Sequence, residues 1–189
     1  MRLDEIKEQV ENCRKCKLWK NRNKPVFGEG PENAKIMLIG LGPGYHENLE
    51  GRPFVGAAGK LLNKLLNLAG IKREEVYITN VIKCYLPNNI ASEEEIKACA
   101  PYLDKQIELI KPKILILLGK VAVEYIFNKF DLKIAPMKKL HGKIFKISTL
   151  FNQLKIIPMY HPAAALRNPG LKNLVEDDWK KIKAELDLY

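Results

Sequence analysis

Four cysteines are the residues best suited to metal chemistry in this chain. They run Cys13-x2-Cys16, then Cys84, then Cys99, a spacing of C-x2-C-x67-C-x14-C. In a cytosolic protein, four cysteines point to metal ligation rather than disulfides. A two-residue gap lets Cys13 and Cys16 converge on one centre. The distant pair comes from the loop after VYITNV and from a helix before PYL, and those segments can meet above one edge of a sheet. Zinc and iron–sulfur clusters both accept four thiolates. Zinc sites more often use two tight pairs, whereas iron–sulfur ligation tolerates scattered ligands. The plainer alternative is four buried thiols acting as small apolar residues.

A second group of residues could bind an organic ligand. Gly40-Leu41-Gly42-Pro43-Gly44 follows an apolar run and precedes Tyr45-His46-Glu47-Asn48. Its glycines and proline keep the backbone bare and rigid, although it is neither a Walker A loop nor G-x-G-x-x-G. A tight strand-to-helix turn explains it equally well. Phe54, between Pro53 and Val55-Gly56, could serve as a stacking platform for a base, or be an ordinary half-buried aromatic. Asn80 ends VYITNV. Its carboxamide pairs one donor with one acceptor, which matches the O4 and N3–H edge of uracil, while cytosine presents the reverse. An isolated Asn at a strand end is otherwise a turn former. His161-Pro162 follows the last apolar run, where an imidazole could stabilise charge or be merely structural.

These residues need elements to position them. Leu3, Ile6 and Val10 have helical spacing within Arg2 to Cys13. KIMLIG (35–40), VYITNV (76–81), KILILLG (113–119) and LKIIPM (154–159) read as strands, with Pro158 limiting the pairing of the last. A short strand is expected near Phe145. Helices are expected over Gly59 to Ala69 with Gly70 as stop, from the Ser92/Glu95 capping box towards Ile110, over Lys120 to about Lys129, and over Val175 to Leu188. This alternation predicts a parallel sheet with helices on both faces, and ligands beyond the carboxyl ends of the strands. Leu41 to Gly56, Lys83 to Asn89 and His161 to Pro169 fall there.

The chain has 189 residues, a length expected to form one domain. Its 47% hydrophobic and 29% charged residues exclude a disordered or fibrous chain. No apolar run approaches the roughly 20 residues of a membrane span, and the acidic N-terminus does not resemble a signal peptide. A cytoplasmic protein with no membrane partner is expected. Lys and Arg number 32 against 22 Asp and Glu, a net charge of +10. That excess fits a nucleic acid partner, or the lysine-rich solvated faces of a thermophile or an AT-rich genome.

Taken together, the segments resemble family 4 of the uracil-DNA glycosylases, the thermophilic iron–sulfur branch. The resemblance runs from the first cysteines through Arg167. It rests on the four cysteines in order, the G-x-x-P-G loop, GRPFVGAAGKLL, VYITNVIKC, KACAPYLDKQIELIKPKILILLG and YHPAAALRNP. It implies an α/β/α sandwich around a four-stranded parallel sheet and a [4Fe–4S] cluster on Cys13, Cys16, Cys84 and Cys99. It further implies a monofunctional hydrolase that excises uracil from single- or double-stranded DNA and acts as a monomer near the nucleoid, in base excision repair. A replication clamp is not read from the sequence.

The same resemblance assigns roles. Phe54 would stack on the flipped uracil, Asn80 would read its edge, and His161 would donate to O2. Leu41, Gly42, Gly44 and Tyr45 would hold the base and water through the loop backbone. Ala165, Leu166 and Arg167 would enter the duplex as a wedge, and Asn89 would contact DNA. The family loop reads G-E-A-P-G, with glutamate where this chain has Leu41, and has an acidic pair where this chain has Glu47-Asn48. Glu47 is therefore the carboxylate expected to orient water or shape the pocket near uracil C5. Leu86-Pro87-Asn88-Asn89-Ile90 also departs from the family's Asn-Arg-Asp-Pro. Leu41 leaves three readings: an active enzyme relying on Glu47, backbone and His161; a weakened one; or one with broader specificity for deaminated bases. The first is followed below. A lesion-binding protein without turnover and a basic redox or zinc protein are the competing classes.

Overall fold

The computed structural model describes residues 1–148 and 153–186. β1 (Ile36–Gly40) and β3 (Ile114–Leu118) are nearly continuous aliphatic runs, and β2 (Tyr77–Asn80) is buried along its whole length. Such runs mark strands covered on both faces. β4 (Phe145–Ser148) and β5 (Gln153–Met159) complete a five-stranded sheet of order β2-β1-β3-β5-β4. β1, β2, β3 and β5 are parallel, as the sequence predicts. The sheet has five strands rather than the expected four, because β4 adds as an antiparallel edge beside β5. Its alternating half-buried and exposed residues suit an edge. Pro158 still sits in register opposite Leu117.

Helices cover both faces. α1 (Leu3–Glu11), α4 (Glu93–Ile110) and α5 (Lys120–Lys129) pack against Met37, Ile39, Leu115, Leu117 and Ile156. α3 (Ala57–Leu68), α7 (Pro162–Arg167) and α8 (Lys172–Leu186) pack against Leu38, Ile78, Ile116, Ile157 and Met159. The odd–even division within each strand follows from side chains alternating across a sheet. Each fully buried aliphatic side chain gains about 1.5–3 kcal/mol from leaving water. Two short helices, α2 (Tyr45–Glu50) and α6 (Met137–Leu140), lie in connecting segments.

α4 begins where the sequence signals it. The Ser92 hydroxyl accepts from the Glu95 amide at 3.2 Å, and the Ser92 amide donates to Glu95 Oε2 at 2.8 Å. α8 begins at Lys172, earlier than the expected Val175, and the expectation for 187–188 lies outside the described residues. Among the described residues, no helix is long and apolar enough to cross a membrane.

The chain leaves β1 for β2 on one side and then returns past β1 to β3. That reversal opens a crevice at the carboxyl ends of β1 and β3, where ligands of open α/β sheets bind.

Candidate active site

A cavity of about 380 Å³ occupies that crevice. Leu41, Gly42, Gly44 and Glu47 line it from the loop after β1 and from α2. Asn80 comes from the end of β2, Asn89 from the following loop, Leu118 to Val121 from the end of β3, and His161, Ala163 and Arg167 from beyond β5. Phe54 and Ala58 complete the lining.

The three residues expected to handle a base meet here. Phe54 and His161 stack with ring centroids 5.5 Å apart and planes at 28°. Asn80 is 2% exposed and lies opposite Gly40 in the parallel register. A Cβ on Gly40 would stand 2.5 Å from Asn80 Oδ1 and 2.8 Å from Phe54 Cζ. The bare α-carbon of Gly40 is therefore what lets the carboxamide and the aromatic ring approach one another. Gly119, at φ +93°, plays a similar part at the end of β3, where its α-carbon faces the His161 side chain.

Phe54 is held by force. Its φ of +50° is in the left-handed region, which is costly for a bulky side chain and is found where surroundings impose it. Arg73 imposes it here, donating to the carbonyls of Phe54 at 3.0 Å and Pro53 at 2.6 Å. Glu29 orients Arg73 through a 3.0 Å ion pair and also pairs with Arg52 at 2.8 Å. Burial works against the Glu29 charge, but hydrogen bonds from Arg52 and Arg73 prevail and hold its carboxyl below the usual range.

His161 caps α7, its Nδ1 accepting from the Ala163 amide at 3.1 Å. Burial pulls its imidazolium down to about 4, with Arg167 acting in the same direction and Glu47 opposing. The ring is thus neutral near pH 7. An Nδ1 that accepts leaves the proton on Nε2.

Glu47 lies close to this group, but one of its oxygens is committed. Oε1 accepts from the amides of Val55 and Gly56, each at 3.0 Å, and so ties α2 to the start of α3. Oε2 turns towards Gly44. Asn48 is buried, and its Oδ1 accepts from the Asn23 amide at 2.7 Å. Some expected contact residues stand outside the cavity lining. Tyr45 is largely exposed at the start of α2. Ala165 turns into the core beneath α7, so of the expected wedge it is Leu166 that faces solvent, with Arg167 at the cavity. The i to i+1 rotation of a helix separates the two in this way.

Cys13, Cys16, Cys84 and Cys99 line one small second cavity beside α1 and α4, together with Arg22, Lys83 and Tyr102. Cys84 Sγ accepts from Arg22 Nη1 at 3.3 Å, and Cys99 Sγ accepts from the Lys83 amide at 3.2 Å. Burial raises the thiols of Cys16 and Cys84 and pushes Cys99 up to about 12. Among the described residues, no group of three or more His, Cys, Asp or Glu is set to hold a single metal ion. Lys83 itself is fully buried, and burial draws its ammonium down to about 7 against the pull of Cys99.

The model of the uracil DNA glycosylase superfamily matches residues 27–186. The chain belongs to the uracil-DNA glycosylase superfamily. Its similarity extends over nearly its whole length to proteins named type-4 uracil-DNA glycosylase. It is 49% identical over 183 residues to that of Sulfurisphaera tokodaii, covering 96% of this chain and 83% of that protein. It is 48% identical to that of Saccharolobus solfataricus over 97% of this chain and 86% of that protein. The Archaeoglobus fulgidus protein is 45% identical over 95% of this chain and 91% of its own length.

Within this member of the glycosylase superfamily, several lining residues had no signal in the sequence. Gly119 and the first residues of α5, Lys120 and Val121, close the cavity, yet in the sequence they read only as the junction of a strand and a helix. Their place at a strand's carboxyl end was the available clue. Arg73 and Lys83 look like any other basic residues in a basic chain.

Proposed function

We propose that this chain excises uracil from DNA by hydrolysing the N-glycosidic bond, and that the cavity at the strand ends receives the flipped base. One observation carries the reading: an aromatic face, a buried carboxamide and a neutral imidazole with a defined tautomer converge in one cavity large enough for a nucleobase.

The chemistry follows from those groups. Extruding a base costs a few kcal/mol, least where pairing is already weak. Stacking on an aromatic ring returns about 1–3 kcal/mol, which Phe54 supplies. Asn80 then pairs with uracil N3–H and O4, and the same orientation mismatches cytosine. As the N1–C1′ bond breaks, its electron pair moves onto uracil and charge gathers at O2. His161 Nε2–H donates to that oxygen and keeps its proton. A preorganised donor of this kind contributes about 3 kcal/mol to the transition state. Water adds to C1′, and the proton it loses ends on the departing uracil anion, leaving an abasic site and free uracil. Leu41 cannot orient water, so Glu47 Oε2 and the loop backbone at Gly42 and Gly44 take that task. Arg167 and Asn89 line the cavity and Leu166 faces solvent beside Arg167, on the side where the duplex would lie.

The four thiols fit a [4Fe–4S] cluster. The donor set is all sulfur, the four line one cavity, and N–H groups already point at two of them. Thiolates on a four-iron cube also stand wider apart than those on one ion. Cys13, Cys16, Cys84 and Cys99 would hold it, and when bound it crosslinks the segment after α1 to the 84–99 segment. None of the four lines the base cavity.

Single-turnover release of uracil tests the reading. Asn80→Ala and His161→Ala are each expected to slow it about 100-fold or more, while circular dichroism shows that both still fold. Near-native release by both variants would overturn the proposal.

A further inference from the structure

Lys83 is buried in the loop after β2 and stands outside the lining of the base cavity. It is 1% exposed. Its ammonium donates to Thr79 Oγ1 at 2.6 Å, to the Asn80 carbonyl at 2.7 Å and to Gln106 Oε1 at 2.6 Å. An ammonium has three N–H donors, and all three are engaged. None of the acceptors is a carboxylate. Burying an amine is costly whether or not it is protonated, and an apolar side chain would fill the same space more cheaply.

The geometry of β2 explains what that arrangement does. β2 is an edge strand, and its residues alternate in which side their carbonyls face. Ile78 points away from β1 and exchanges both backbone hydrogen bonds with Glu29, at 2.8 and 3.0 Å. Asn80, two residues on, points the same way, beyond the reach of that bridge. Lys83 supplies the missing donor. Val81 and Ile82 bond back to Gly40 and Leu41 at 3.0 and 2.9 Å, so the peptide bearing Asn80 is held from both sides. Gln106 is itself fixed, donating to the Phe27 carbonyl at 2.9 Å and to the Tyr77 hydroxyl at 3.1 Å. It lies two turns after Cys99 on the buried face of α4.

We infer that Lys83 is a positioning residue for base recognition: it locks the backbone of Asn80 and ties it to the segment bearing Cys84 and Cys99. The inference rests on the reading of Asn80 as the group that meets uracil. It gives the cysteine segment a route to the base cavity through Lys83 and Gln106, although no thiol reaches that cavity.

The test uses free uracil as the probe on the iron-loaded protein. Its inhibition constant is measured alongside affinity for a duplex with an abasic-site analogue, iron content and unfolding temperature. Lys83→Met keeps the length of the side chain and removes all three donors. It is expected to weaken uracil inhibition about tenfold or more, the equivalent of a lost buried hydrogen bond, while affinity for abasic duplex and iron content stay near native. Native uracil inhibition in folded Lys83→Met overturns the inference. If Lys83→Met fails to fold, Thr79→Val decides: loss of uracil affinity that Thr79→Ser restores supports it, and native affinity in Thr79→Val overturns it. Asn80→Ala separates the two claims. If Asn80→Ala loses uracil affinity and the Lys83 variants do not, only the positioning role fails. If Asn80→Ala is also native, the reading of Asn80 fails and takes this inference with it.

Discussion

Acid should spare the reaction far longer than an ordinary histidine would allow. Burial, reinforced by Arg167, brings His161 from 6.5 down to about 4. That change disfavours the charged ring by about 3 kcal/mol. At about pH 5.5 an ordinary imidazole is roughly one-tenth neutral, whereas His161 is almost wholly neutral. The donor that meets uracil O2 is the neutral ring, since its Nδ1 is occupied as an acceptor by the Ala163 amide. The single-turnover rate of the native protein, divided by that of His161→Ala, should stay flat from about pH 8 to about pH 5 and fall only near pH 4. Stability carries the same sign. With the folded value depressed, the unfolded chain takes up the proton first as pH falls. The contribution is fully present above about pH 6.5 and is lost progressively towards pH 4, by at most about 3 kcal/mol. His161→Ala should flatten that slope in urea unfolding. A rate ratio that already drops about fivefold between pH 6.5 and 5.5 would refute a buried neutral imidazole.

Three further outcomes follow from packing. Gly40→Ala places a methyl 2.5 Å from Asn80 Oδ1 and 2.8 Å from Phe54 Cζ, so it should slow uracil release about 100-fold without unfolding the chain, as seen by circular dichroism. Trp179 is fully buried under the α8 face, and Trp179→Ala should cost about 3–5 kcal/mol in urea unfolding while leaving the kinetics of the folded fraction unchanged. Cys84→Ser should lose iron and visible absorbance and lower the unfolding temperature, while any fraction that remains folded still releases uracil.

The strands were legible where burial is complete. KIMLIG and KILILLG are covered on both faces, so apolarity runs unbroken and marks them. β4 was only faintly legible, because an edge strand with one wet face carries little apolar signal. The capping box at Ser92 was readable because both hydrogen bonds are local. The site was less transparent. Asn80, Phe54 and His161 carry chemistry that sequence can name, but their convergence depends on strand order, which places three distant segments at one sheet edge. Glu47 reads as a free carboxylate until the amides of Val55 and Gly56 are seen to occupy one oxygen. Lys83 is one of 32 Lys and Arg, and nothing in its type or spacing separates a fully buried ammonium from solvated ones.

The most direct test of the central claim is base release from labelled duplexes carrying a single U·G, U·A, T·G or hypoxanthine·C pair, followed by alkaline cleavage of abasic sites. Cleavage is expected at both uracil pairs and at neither thymine nor hypoxanthine, with Leu41 in place. Intact uracil-containing duplex after prolonged incubation with the iron-loaded protein would contradict it.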